Sequence, residues 1–112
     1  MAIIKYKTAI VITDTAIPDV GIASMIHAVT LVVGTTYSSI LIGDSDVADP
    51  ANIKIHLTSI GVTNIGDKCI SITYKNPIIF PTNIYADIGG AGAYAYVQYS
   101  DLSDSIGGQN PT

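Results

Sequence analysis

Few side chains in this 112-residue chain have the type and spacing to do chemistry. The densest group is Asp44, Asp46 and Asp49 in GDSDVADP, a D-x-D-x-x-D spacing. Three carboxylates on one flexible loop supply the hard oxygens that calcium takes. The loop is not an EF-hand, whose sixth and twelfth places hold glycine and glutamate; counted from Asp44 they hold Asp49 and Ile55. Aspartate also bonds its own backbone in turns, so the expectation is a solvated turn that needs no metal. His27 and His56 lie 29 positions apart, too few and too far apart for a cupin-like metal set. His56 falls on the polar side of an alternating segment and should face solvent. His27 falls in the most apolar segment and is expected to be a hydrogen-bonded buried or interface histidine. Cys69 is the single cysteine, so no disulfide forms within the chain. It is expected to fill space as a small hydrophobe. Neither H-x-x-x-H, G-x-S-x-G nor C-x-x-C occurs. Gly89–Gly90–Ala91–Gly92 lacks the lysine–serine/threonine and the helix of a phosphate loop and reads as a hairpin connection. These residues give no catalytic, cofactor or metal site, and the chain reads as a non-enzyme.

The composition says what must position them. Isoleucine, valine and threonine fill 39 positions, and glutamate, arginine and tryptophan are absent. β-Branched side chains suit a pleated sheet and lose rotamer freedom in a helix. The chain is 48% hydrophobic and 12% charged, against about 25% charged in an average domain. A domain of this size hides that much apolar surface poorly, and large exposed patches mark partner surfaces. The net charge is −4 and the five lysines are scattered, which argues against direct nucleic-acid binding. No apolar run approaches the roughly 18 residues of a spanning helix, and no targeting segment is evident. The sequence therefore predicts a protein made in the cytoplasm and kept off membranes.

Along the chain, strands are expected at 3–12, 24–33, 35–42, 53–59, 69–74, in two short pieces between 78 and 88 separated by Pro81, and at 93–100. Loops are expected over TDTAIPDVG, GDSDVADP and GVTNIGD, with a turn at Lys75–Asn76–Pro77. About eight short strands, with turn signals every 8–12 residues or so, predict an all-β fold: a single β-sandwich, jelly-roll-like domain. It would span 1–100, with 1–20 as an N-terminal strand or arm and 101–112 as a flexible polar tail. Ile53, Ile55, Leu57, Ile70 and Ile72 are the expected core. The segment 24–33 is apolar on both alternating faces and should be covered on both. Tyr94 and Tyr96 share one side of their strand; either they point outward over a small inner face of Ala93, Ala95 and Val97, or they enter the core. Met25, His27, Tyr94 and Tyr96 are the candidate interface residues.

Two blocks carry a family resemblance. SMIHAVTLVVGTTYSSILIGDSD is an apolar strand with its sequel and an Asp-rich turn. NPIIFPTNIYADIGGAGAYAYVQYS contains Phe80, Pro81, Ile84, Tyr85, the Gly89–Gly90 turn and a last aromatic strand, Tyr94 to Tyr99. From Gly21 to Ser100 the chain resembles the small β-sandwich decoration (cement) and minor head proteins of tailed bacteriophages. The resemblance implies a structural virion protein on the capsid surface, usually a homotrimer, whose partner is the major capsid protein. A tail-fibre head or a carbohydrate-binding β-sandwich is the alternative. The N-terminal strand with Lys5 and Lys7 has no counterpart in the resemblance.

Overall fold

The β-branched composition is spent on eight strands. The computed structural model describes residues 6–17, 22–47 and 50–102. Its elements are β1 (Lys7–Val11), β2 (Thr15–Ile17), β3 (Ser24–Val32), β4 (Ser38–Asp44), β5 (Ile53–Ser59), β6 (Cys69–Phe80), β7 (Ile84–Gly89) and β8 (Tyr94–Asp101), with one 3-10 turn at Pro50–Asn52. They form two four-stranded antiparallel sheets, β1-β8-β3-β6 and β2-β7-β4-β5. β4 pairs with β5, β3 with β6, β2 with β7 and β1 with β8. The chain is thus one long antiparallel ribbon, folded back after β4 and rolled up, which is the jelly-roll arrangement expected from the strand count.

The inner faces of both sheets share one core. Ile26, Val29, Leu31, Val97 and Phe80 from the first sheet meet Ile40, Ile42, Ile55, Ile84 and Ala86 from the second. The two edge strands β5 and β6 meet on one side. There Lys54 Nζ donates to the Ile79 carbonyl at 2.7 Å and lies 5.4 Å from the Phe80 ring centre.

Several expectations fail for identifiable reasons. The loop expected over 13–21 contains β2, a three-residue strand too short to show a period. The turn at Lys75–Asn76–Pro77 does not form, and β6 runs through it. Proline is tolerated there because β6 is an edge strand with an irregular ladder. The Gly89–Gly92 segment is not a hairpin, because β7 and β8 belong to different sheets. Gly90 and Gly92 do take positive φ, 115° and 77°. A Cβ at Gly90 would sit 2.9 Å from Ser38 Cα, so this crossing depends on close backbone approach. Ile55 is buried, whereas Ile53, Leu57 and Ile70 are half-buried. Ile72 is 37% exposed, since no strand lies beyond β6 to cover it. Cys69 is exposed at the start of the same edge strand rather than filling space. The domain extends slightly past residue 100: Asp101 ends β8 and the Leu102 amide donates to the Ala23 carbonyl. The tail 103–112, the segment 1–5 and Asp49 lie outside the described residues.

Candidate functional site

The connections alternate between two ends of the sandwich. One end gathers residues 12–14, 33–37, 60–68 and 90–93. Hydrogen bonds tie these loops together: the Thr35 amide donates to the Ala91 carbonyl (2.9 Å), the Ala91 amide to Thr36 Oγ1 (2.8 Å) and the Val62 amide to the Gly34 carbonyl (2.9 Å). A Cβ at Gly34 would overlap the Ala91 carbonyl oxygen. Asp14 Oδ1 accepts the Ile88 amide and fastens the first loop to β7. On this frame stand Ile12 (73% exposed), Tyr37 (61%), Ile60 (74%) and Ile65 (48%). The charged residues of the four connections are Asp14, Asp67 and Lys68. Exposed Ile10 continues the apolar surface beside its cross-strand partner Tyr96.

The opposite end is held by polar side chains. Asp44 Oδ1 accepts the amides of Thr82 (2.8 Å) and Asn83 (3.2 Å). Buried Asn83 accepts the Ile22 amide at 2.8 Å and donates to the Ile84 carbonyl at 2.9 Å. Asp44 therefore anchors the β6–β7 turn, a role that neither a calcium loop nor a solvated turn anticipates. Among the described residues no three histidine, cysteine or acidic side chains converge as a metal-binding group.

The outer face of the β1-β8-β3-β6 sheet carries all four candidate interface residues. Ala95 and Val97 are buried inside, so Tyr94 and Tyr96 point outward, and their rings meet edge-to-face at 5.7 Å. That settles the orientation left open by the sequence. The Tyr96 phenol, next to Tyr94, is the largest cause raising the Tyr94 pKa above its ordinary value. Met25 and His27 also lie on this face but are buried. A bulge explains why. The pairing of β3 slips between Ile26 and Ala28 against both neighbours. Ile26 and Val29 then both face the core, which strict alternation forbids, and His27 joins the outer side. Its Nε2 lies 2.8 Å from Ser100 Oγ, and its ring meets Tyr6 edge-to-face at 4.5 Å. Burial lowers the His27 pKa below its ordinary value.

Opposite His27, β6 spends four residues, Tyr74 to Pro77, between the partners of Ala28 and Ile26. The slack opens a cleft of about 370 Å³ on the sheet face, lined by His27, Tyr6 and Tyr74, together with Thr73, Lys75 and Gln98. The sequence reading missed this cleft, because the signal for it, a proline at an interrupted ladder, reads equally well as a turn. It also missed the carboxyl pair Asp14–Asp87. Burial first, then the charge of Asp14 and the hydrogen bond that protonated Asp87 donates to it, raise the Asp87 pKa. His56 is exposed, as expected from its polar side of β5. Compared with known proteins, the chain matches no family model, no curated sequence and no solved structure.

Proposed function

We propose that this chain is a structural subunit without catalytic activity: a decoration protein of a tailed-phage head, assembled as a homotrimer and bound to the major capsid protein. The observation that carries this reading is the apolar loop end, where three interlocked connections and a fourth present Ile12, Tyr37, Ile60 and Ile65 to solvent. Fully burying one such side chain is worth about 1.5–3 kcal/mol. Copies of an acidic chain repel one another least through a surface with few charges. A protein that binds only the assembled shell stabilises it by mass action. Jelly rolls build capsid and lectin domains alike, so the fold alone does not choose between a head protein and the tail-fibre alternative.

Two measurements test the reading. Light scattering after chromatography should give a trimer mass at micromolar concentration, and the double substitution Tyr37→Asp, Ile60→Asp should give a monomer with an unchanged circular dichroism spectrum. Labelled antibodies on purified particles should decorate the head. A monodisperse wild-type monomer, or labelling at the tail tip, overturns it.

A further inference from the structure

We propose that the cleft beside His27 binds an acidic sugar unit of a polysaccharide, with Lys75 taking the carboxylate and Thr73 and Gln98 the hydroxyls. Its volume, about 370 Å³, falls in the lower part of the range for small-molecule sites, about 300–1,000 Å³. The backbone builds it: the bulge at His27 and the four-residue excursion of β6 interrupt an otherwise regular ladder, and bulges commonly re-aim side chains beside binding sites. Between Thr73 and Gln98 the register places Ala28, whose methyl group leaves the space above the sheet open.

The charge in the cleft selects the ligand. The chain carries −4 overall, yet among the described residues no carboxylate lines this wall and Lys75 is its one lysine. Among the described residues the one ion pair joins Lys7 to Asp101, and Lys75 is exposed. Burial of His27 favours its neutral form, leaving Lys75 as the one fixed cation among the described lining residues. One ammonium matches one carboxylate, whereas a phosphate chain draws a group of donors. The remaining groups suit hydroxyls, because the Gln98 amide and the Thr73 hydroxyl each donate and accept. The rings of Tyr6 and His27 lie at 75° to each other, so they form no parallel slot for a nucleobase. A tyrosine instead offers an apolar body with a polar tip, which fits the C–H side and hydroxyl rim of a pyranose. The cleft sits near the start of β3, away from the apolar loop end that follows Val32, so it stays open when that end is covered.

The test is a titration of the full chain, isotope-labelled, with digalacturonic acid, its neutral galactose counterpart and inorganic phosphate, followed by amide correlation spectra. Digalacturonic acid should shift Tyr6, His27, Thr73 to Lys75 and Gln98 in a saturable way. Lys75→Gln should weaken binding about tenfold or more, the scale of a lost hydrogen bond to a charged group. Gln98→Ala should weaken it less, and both variants should keep the wild-type circular dichroism spectrum. No saturable shift with digalacturonic acid, equal binding of the neutral sugar, or an affinity unchanged in Lys75→Gln overturns the proposal. The same shifts at the same affinity with phosphate overturn it too, since they would mark a generic anion contact.

Discussion

Two titrating residues pull the stability in opposite directions with pH. Burial lowers the pKa of His27 from its ordinary 6.5. The unfolded chain then binds the proton more tightly, so this contribution is complete above pH 6.5 and is lost as the pH falls toward the folded value. Asp87 is raised from 3.8 by burial, then by Asp14. Its folded form holds the proton more tightly, so its contribution is complete below 3.8 and is lost as the pH rises through the folded value. Asp87→Asn should therefore stabilise the fold at pH 7 by roughly 0.2–1 kcal/mol, the scale of solvent-screened charge pairs, and change nothing at pH 3. Urea unfolding at the two pH values checks this; equal effects at both would remove the carboxyl pair as the cause. Asp44 is the other residue with a defined task. Asp44→Ala strips the partner from two turn amides and should cost about 1–3 kcal/mol, the penalty for an unsatisfied donor. A calcium-dependent melting temperature in the wild type would show instead that the loop holds a metal.

At the scale of elements, the edge position of β6 decides what its side chains do. Ile55 on β5 is 3% exposed and belongs to the core cluster. Ile55→Ala should cost about 2–5 kcal/mol. Ile72 has the same side-chain type and the same alternating pattern, yet it is 37% exposed. Ile72→Ala should cost less, close to the roughly 0.5 kcal/mol of surface changes. Denaturant midpoints of the two variants compare them directly, and equal losses would mean that a partner covers β6 in solution. The pattern at 53–59 was legible because Lys54, His56 and Thr58 mark the outer side of β5. The pattern at 24–33 was not, because both of its sides are apolar and nothing in it marks the slip at His27. The bulge arises from pairing with β6 and β8, two strands distant in sequence.

At the scale of the whole molecule, the connections matter more than the sheets. The apolar loop end is assembled from residues as far apart as Ile12 and Ala91. A single substitution, Ile60→Asp, should leave the far-UV circular dichroism spectrum of the chain unchanged, because Ile60 is 74% exposed and supports no core contact. It should nevertheless raise the concentration at which the proposed trimer dissociates. Analytical ultracentrifugation across a concentration series measures this, and identical association by the two proteins would place the interface elsewhere.

The sequence by itself determined that this chain is all-β. The surplus of β-branched residues, the missing glutamate and arginine, and the alternation at 53–59 and 69–74 are local properties, and local properties select strand over helix. It reached the observed number of strands only because two errors cancel: β2 lies inside the loop expected over 13–21, and β6 runs unbroken through the turn expected at Lys75–Asn76–Pro77. Its charge pattern also placed His56 outside. Tertiary structure alone decided which strands lie at the edges, and so exposed Ile72 and Cys69. It turned Tyr94 and Tyr96 outward, gave Asp44 the amides of Thr82 and Asn83, and opened the cleft at His27. Each of these outcomes depends on pairing between segments tens of residues apart, and a one-residue shift in that pairing exchanges the two faces of a strand.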